Sequence, residues 1–375
     1  MEKHSHGLRK LAAIESARSS FDSVAQASLA PPEPSSASAR WRSLLASAAV
    51  DIDAFYADRR PGMAPDDRLL VLTLDGKGIV MRPEALRKAT ATAAAAARRK
   101  LATRLSPGEK RGRKRMAALA AVYDAVPAPR TPGDIISLPA TAPRCRAHPS
   151  RNATGTWLTA SVTEDIPAVI AAGFGEAERR DPDHRRTWVA LVDGNTTQIE
   201  AIAAEARRRQ VTVHIVCDLI HVLEYLWKAA WSFFEPGDPD AEDWVATQAI
   251  KILESKAAQV AAGIRRRATT YGYSAAEREG ADTCAAYLAA KRPWLDYTTA
   301  LARGWPIATG VIEGACRHLV KDRMDITGAR WGLVGAEAIL KLRALTASND
   351  FDEYWAFHLR QEHHRVHRSN YHLAA

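Results

Sequence analysis

The chain is poor in cysteine and in aromatic residues, and it has no long hydrophobic run. Only 4 of its 375 residues are cysteine, and 7% are aromatic. The cysteines lie about 30 or more positions apart, which excludes a local Cys-x-x-Cys zinc ribbon and a dense disulfide framework. The longest apolar stretch, an Ala/Thr run at 89–97, is far too short to span a bilayer, and the polar N-terminus lacks the apolar segment of a secretory signal. These absences favour a reducing, cytoplasmic setting and argue against a membrane role.

Several catalytic motifs are missing as well. The sequence has no Walker A loop, no G-x-S-x-G elbow and no H-E-x-x-H pair, which argues against an ATPase, an α/β-hydrolase and a zinc metalloprotease. What the chain does have is positive charge. The 52 Lys and Arg residues outnumber the 43 Asp and Glu residues, giving a formal net charge of +9. A basic chain of this kind favours a polyanionic partner.

Apolar runs typical of strands occur in the first 220 residues, and helical periods dominate afterwards. A turn is predicted at Asp75–Gly78, between the first two strands. The predicted strands are 69–74, 79–81, 116–126, 156–162, 188–192 and 211–217. Helices separate the last three strands, so the sequence predicts a mixed α/β sheet with a parallel portion.

Two segments look irregular. Residues 1–42 are predicted to be weakly structured, because 25–40 are rich in Pro, Ser and Ala. Residues 98–155 form a basic and Pro-rich insert. Its first part, 98–115, contains nine Lys or Arg residues and one acid, and a Ser-Pro-Gly step interrupts it. We therefore predict an exposed basic loop in which contact with DNA is slightly favoured over simple solvation.

Two predicted strands end in Asp-Gly, at Asp75 and at Asp193. Either pair alone is most often a turn. Two acids at the carboxyl ends of neighbouring parallel strands would converge where α/β folds place their sites, and like charges that close favour a divalent cation between them.

A predicted helix places Glu313, Arg317 and Lys321 at positions i, i+4 and i+8. One interpretation is a solvated face with a weak Glu–Arg pair. The alternative is a metal-binding carboxylate followed by two cations that contact phosphates. Asp218 and His221 follow the last strand, and here the simpler interpretation is an N-cap and a histidine packed on the helix.

Long stretches of the sequence resemble a known family. WVALVDGNTTQIEAI, CDLIHVLEYLWKAAW, GWPIATGVIEGACRHLVKDRMDITGARWGL and FDEYWAFHL are similar to the bacterial insertion-sequence transposases of the Kra type. These belong to the larger clade of DDE transposases that includes the Mutator-like elements. The resemblance runs from residue 43 to the C-terminus. It implies a ribonuclease-H-like mixed sheet that is flanked by helices and interrupted by an all-helical insertion.

The resemblance also implies the site. Asp75, Asp193 and Glu313 would be the catalytic and metal-binding acids, while Asp218 and His221 match the clade's Asp-x-x-His signature. Another alignment makes Asp218 the second acid, but Asp193 is preferred because it ends the strand expected beside the first. Phosphate or DNA contacts are expected from Arg317, Lys321, Arg323, Arg111, Arg113, Lys114 and Arg115.

The implied reaction is phosphoryl transfer on DNA with Mg²⁺ or Mn²⁺, as two ions that flank the scissile phosphate. The expected partners are the element ends, target DNA and further copies of the chain on that DNA. The expected location is the bacterial cytoplasm, at the nucleoid. The implied core comprises 43–227 and 304–375, the latter with the Glu-bearing helix and a basic C-terminal tail, and the insertion is 228–303.

Two further hypotheses stay open. Transposases of this type usually have a longer N-terminal region, so the chain is alternatively a truncated remnant that binds DNA without transposing. A structure-specific ribonuclease-H-like nuclease is the third possibility, and the helical segment 228–303 argues against it.

Overall fold

The computed structural model of the protein describes residues 5–18, 43–96, 101, 112–137, 153–326 and 328–365. The strands are β1 Leu69–Met81, β2 Arg113–Ala125, β3 Thr154–Ser161, β4 Trp188–Val192 and β5 Val213–Cys217. The helices are α1 His6–Arg18, α2 Ile52–Asp58, α3 Lys88–Ala96, α4 Ile166–Arg180, α5 Thr196–Arg209, α6 Leu219–Ala230, α7 Pro239–Leu253, α8 Ala257–Thr270, α9 Glu279–Lys291, α10 Tyr297–Ala302, α11 Gly310–Ala315, α12 Leu333–Ala347 and α13 Phe351–His363.

The strands form a mixed sheet in the order β3-β2-β1-β4-β5. Strand β2 runs antiparallel to both neighbours, whereas β1, β4 and β5 are parallel. Parallel neighbours need a crossover, and α5 supplies the one between β4 and β5. All five residues of β4 are buried, as expected for a strand covered on both faces. This sheet with its flanking helices confirms the predicted ribonuclease-H-like α/β fold class.

Strand β1 continues through the segment predicted as a turn. Asp75 pairs with Leu119 of β2, and Gly78 pairs with Met116. The predicted strands at 69–74 and 79–81 are therefore one strand, and the prediction of a turn between them is wrong. The physical reason is the long antiparallel ladder, which supplies main-chain hydrogen bonds to β1 beyond the end of β4.

The segment between β5 and α11 is helical, as predicted. Helices α7 to α10 follow α6, and a 3-10 turn at Arg292–Trp294 precedes α10. The guanidinium of Arg267 lies 4.6 Å and 4.7 Å from the ring centres of Phe233 and Phe234, so a cation–π cluster joins α8 to the chain that follows α6. In the described part of the chain, no helix is long and apolar enough to cross a membrane.

Both ends of the chain contain structure that the sequence did not predict. Within the segment 1–42, helix α1 packs against α12, and Arg9 forms an ion pair with Glu362 of α13 at 2.5 Å. The prediction of weak structure is therefore wrong for α1, while the predicted linker lies outside the described residues. Near the C-terminus, Arg365 donates to both carboxylate oxygens of Asp51 at 2.6 Å and 2.9 Å. The predicted basic tail thus begins as part of the fold, and 366–375 lie outside the described residues.

Candidate active site

The two predicted strand-end acids lie at the same level of the sheet. The last register pair between β1 and β4 is Thr73 with Leu191. Two residues further along each strand are Asp75 and Asp193. The two aspartates therefore stand side by side where the parallel strands end, although β1 itself continues. This is the edge at which α/β folds place ligands.

A third aspartate, Asp218, lies at the end of the next parallel strand, β5. The last register pair between β4 and β5 is Val192 with Cys217, and the next residues are Asp193 and Asp218. The N–H of Asp218 donates to the carbonyl of Val192 at 2.8 Å, which fixes the two strand ends to each other. Asp75, Asp193 and Asp218, called here the aspartate row, thus follow one another across three parallel strands.

Two members of the aspartate row open into a shared cavity. Asp75 and Asp193 line a cavity of about 440 Å³, together with Glu164, Asp165 and Arg87. Four carboxylates against one guanidinium make the wall negative. A phosphate group would be repelled there unless cations accompanied it.

The turn after β4 is held from two sides. The Asp193 carboxylate accepts from the N–H of Asn195 at 2.7 Å, and the Asn195 side chain caps α5. Gly194 has a φ of 92°, and a Cβ atom there would lie 2.8 Å from the hydroxyl oxygen of Tyr287. That hydroxyl donates to the carbonyl of Asp193 at 3.3 Å. Because Tyr287 belongs to α9, the helical segment predicted as an insertion directly contacts the turn that carries Asp193.

The helix that carries Glu313 is attached to the aspartate row at two points. Thr309, the N-cap residue of α11, donates from its hydroxyl to Asp218 at 2.5 Å. Cys316, directly after α11, donates from its thiol to Asp75 at 3.1 Å. Glu313 lies four residues after Thr309 and three before Cys316, a spacing that puts all three on one helix face. The structure therefore brings the Glu313 position to the row, between its attachments to Asp218 and Asp75.

The thiol of Cys316 is a hydrogen-bond donor rather than a nucleophile. Burial raises the pKa of Cys316, and the negative charges of Asp75 and Glu313 raise it further. Burial likewise raises the pKa of Cys217, at the end of β5, to about 12. Both thiols are therefore protonated at neutral pH, and Cys316 can hold Asp75 in place.

A π-helical segment, Cys316–Lys321, follows α11. Arg343 of α12 donates from Nε to the carbonyls of His318 and Leu319, both at 3.1 Å. The guanidinium thus satisfies carbonyl groups that the wider turn releases. Such segments are frequent at functional sites, and this one disturbs the regular i, i+4, i+8 stack predicted after Glu313.

The three predicted phosphate contacts on this segment divide into two groups. Arg317 and Lys321 are exposed, and Arg317 lies 3.9 Å from Asp322. Arg323 is only 3% exposed, and its guanidinium lies 4.9 Å from the ring centre of Trp331. The predicted role as a phosphate contact does not fit Arg323, because its charge is buried in the fold.

The predicted basic loop is partly a strand. Arg113–Arg115 open β2, and Arg111 lies outside the described residues. Lys114 is half exposed, near Asp325. Arg115 donates to two main-chain carbonyl groups, and its pKa is lowered by burial and then by repulsion from Arg87. Arg115 is thus held in the fold next to a second cation.

The structure agrees with the simpler interpretation of Asp218 and His221, which was a helix N-cap and a histidine on the same helix. Asp218 is 2% exposed and caps α6, because its side chain accepts from the N–H of Ile220 at 2.9 Å. Burial raises the pKa of Asp218. His221 is partly exposed, 3.4 Å from Glu224. Asp218 is buried and is not part of the cavity wall, whereas Asp193 lines the cavity, so the geometry favours Asp193 as the second acid.

The three predicted acids fit a divalent cation by their chemistry. Asp75 and Asp193 accept from N–H and thiol groups, and Glu313 lies 3.4 Å from the hydroxyl oxygen of Thr309, whose proton goes to Asp218. None of the three acids pairs with a cation among the described residues. Hard carboxylate oxygens are the ligands that Mg²⁺ and Mn²⁺ prefer. Across the described ranges, no three His, Cys, Asp or Glu side chains are already gathered around one point where a metal could sit. Glu313, which is exposed, therefore has to turn toward the cavity to complete such a set.

Sequence reasoning missed four residues at this site: Thr309, Cys316, Tyr287 and Arg87. A threonine just before the glutamate-bearing helix is a recognisable N-cap signal that points to Thr309. Tyr287 and Arg87 gave no local signal, because they reach the site from distant parts of the chain.

Comparisons of the chain with protein-family models, with curated proteins and with solved structures find no match. Function must therefore be inferred from the sheet, the aspartate row and the helix that carries Glu313.

Proposed function

We propose that the protein is a metal-dependent DNA phosphoryl transferase of the DDE transposase type, which cleaves DNA and joins the freed 3′ end to a target strand. The observation that carries this proposal is the double attachment of the Glu313 helix to the aspartate row. Thr309 donates a hydrogen bond to Asp218 and Cys316 donates one to Asp75, so the helix that carries Glu313 is held beside two carboxylates that share a cavity.

In this proposal Asp75, Asp193 and Glu313 hold Mg²⁺ or Mn²⁺. When bound, two such ions supply activation of the attacking oxygen and stabilisation of the leaving oxygen. The chain itself supplies orientation. Cys316 fixes one oxygen of Asp75, and the Asn195 N–H fixes one oxygen of Asp193. The other oxygen of Asp193 has no hydrogen-bond donor among the described residues, whereas the other oxygen of Asp75 accepts from the N–H of Gly76 at 2.6 Å.

The surrounding cations suit a nucleic-acid backbone. Arg317 and Lys321 are exposed on the segment that follows Glu313, and Arg87 lines the cavity itself. Together with the net charge of +9, they favour phosphate contacts around an acidic centre. Such contacts would make DNA binding fall steeply as salt is raised.

The test uses the full chain with Mg²⁺ and a linear DNA that carries the terminal sequence found beside its gene. Asp75→Asn, Asp193→Asn and Glu313→Gln are each expected to lower strand cleavage by about 100-fold or more, since loss of even a supporting contact at a metal site costs about 10- to 100-fold. Asp243→Asn, an exposed acid on α7, is the matched control and should cleave like the unmodified chain. Equal cleavage by all four variants would contradict the proposal.

The products separate the competing hypotheses. Joined strands support a transposase, whereas nicks without joining support a structure-specific nuclease. Binding of the same DNA without any cleavage supports a protein that binds DNA and performs no chemistry. The contact between Tyr287 of the insertion and the Asp193 turn favours the first outcome over the second, because it makes the insertion part of the site.

A further inference from the structure

The cavity beside Asp75 and Asp193 contains a buried amide that the proposed chemistry does not use. Gln198 lies in the first turn of α5, is 5% exposed and lines this cavity. Its side-chain Oε1 has no hydrogen-bond partner among the described residues. Burying an amide oxygen without a donor costs stability, so a ligand that donates to it would offset that cost.

The rest of the cavity provides two other kinds of contact. Met116, Ile166 and Pro167 give it apolar walls, and the exposed guanidinium of Arg87 gives it a cation. The first turns of α4 and α5 both reach the cavity, and helix N-termini favour anions. A volume of about 440 Å³ lies at the lower end of the range for small-molecule sites.

We propose that this cavity binds one unpaired nucleotide of the DNA substrate, with Gln198 contacting the edge of the base and Arg87 contacting a phosphate. This inference rests on the proposed function and names the part of the substrate that enters the site. The three contacts match the base and the phosphate of a nucleotide. The apolar walls suit a flat base, the amide suits a base edge and the guanidinium suits a phosphate.

The nucleotide has to be unpaired, because the amide is buried. In a duplex the base is stacked and its pairing edge is occupied, so it cannot reach a side chain that is 95% enclosed; enzymes that read such an edge take the base out of the stack. A side-chain amide both donates and accepts, which matches the mixed donors and acceptors of base edges. Inorganic phosphate would satisfy Arg87 alone and leave the amide and the apolar walls unused.

The test measures binding of the full chain to three DNA probes by fluorescence anisotropy. The probes are a blunt 20-base-pair duplex, the same duplex with one unpaired 3′ nucleotide, and the same duplex with one abasic 3′ residue. Ca²⁺ replaces Mg²⁺ because it is a hard cation that prefers oxygen ligands, and a gel confirms that the DNA stays intact. We expect the unpaired nucleotide to tighten binding about tenfold over the blunt duplex, the scale of one good base contact.

Two variants assign the contacts. Gln198→Met, which keeps the volume and removes the amide, should abolish the preference for the base over the abasic residue. Its melting temperature should stay equal or rise, because the unpaired amide is gone, whereas a merely structural role for Gln198 predicts a fall. Arg87→Ala should weaken binding to both overhang probes alike and reduce the salt dependence by about one phosphate contact.

The matched controls are Gln259→Met and Arg82→Ala, which change an exposed glutamine and an exposed arginine outside the cavity. Both should bind all probes like the unmodified chain. If the DNA is bound and cleaved but the three probes bind equally, the nucleotide inference is wrong and the proposed function stands. If none of the probes binds and no DNA is cleaved, the proposed function itself fails.

Discussion

The two ends of the sheet differ in whether their carboxylates are paired with cations. At one end, Asp124 of β2 lies between two buried arginines, with Arg186 at 2.5 Å and Arg180 at 3.3 Å. At the other end, Asp75 and Asp193 line a cavity and accept hydrogen bonds only from neutral groups of the described chain. The same sheet thus has an acid paired with arginines at one end and, at the other, acids without a cationic partner among the described residues.

This difference separates a structural use of charge from a use that needs a ligand. Buried carboxylates are tolerated when a cation is paired with them, and Asp124 satisfies that condition inside the protein. The chain has nine more cationic than anionic side chains, yet none of the described ones neutralises Asp75 or Asp193. In the proposed function, bound metal ions supply the compensating charge.

The largest effect is expected at the neutralised end. Asp124→Ala would leave Arg186 buried without its carboxylate partner, while Arg180 keeps Glu176, and should destabilise the fold by about 3–5 kcal/mol. Chemical denaturation at neutral pH measures this loss. A loss below about 1 kcal/mol is typical of an exposed ion pair and would contradict the claim that buried ion pairs neutralise Asp124.

The opposite behaviour is expected of Asp75. Without divalent ions, Asp75→Asn should leave the stability unchanged or slightly higher, because it removes one of several neighbouring negative charges. Mg²⁺ at about 100 times its dissociation constant should stabilise the unmodified chain by about 2.7 kcal/mol and the variant by much less. Thermal melts with and without Mg²⁺ test this, and an equal shift in both proteins would place the ion elsewhere.

An intermediate effect is expected where the Glu313 helix joins the row. Thr309→Val keeps the shape and removes the hydroxyl that donates to the buried Asp218 at 2.5 Å. Leaving that oxygen without its donor should cost about 1–3 kcal/mol of stability. Thr309→Ser restores the donor and is the control, so similar losses for both variants would argue against this contact.

The smallest effect concerns a histidine remote from the site. His214 of β5 stacks on Trp305 with ring centres 4.4 Å apart, and burial followed by repulsion from Arg303 lowers its pKa. As the pH falls through 6.5, the unfolded chain takes up this proton before the folded chain does, so stability falls. His214→Phe should flatten this part of the stability profile between pH 7 and 5, as followed by urea denaturation. An unchanged slope would show that His214 is not its source.

Much of the fold was readable from local patterns, and the exceptions have physical causes. Helices α4 and α5 and strand β4 match their predicted bounds, because each combines a clear apolar period with a cap or turn signal. The turn predicted at Asp75–Gly78 failed because Asp and Gly favour turns locally, whereas pairing with β2 is a non-local stabilisation that the sequence window cannot show.

The site was only partly readable. Asp75 and Asp193 were predictable because each follows an apolar strand run, and their alignment follows from the register. The burial of Arg323 was not predictable, because its partner Trp331 lies in a separate loop. Gln198 and Arg87 gave no signal, since a cavity is formed by elements that are far apart in the chain.

The most direct test of the central claim is a crystal structure of the full chain grown with Mn²⁺, with the ion located by its anomalous scattering. We expect an ion coordinated by carboxylate oxygens of Asp75 and Asp193, with Glu313 turned toward it, at metal–oxygen distances of about 2 Å, as for the similarly hard cation Mg²⁺. Mn²⁺ bound elsewhere, or a clear map with no ion at the aspartate row, would contradict the claim that these acids form a metal-dependent catalytic centre.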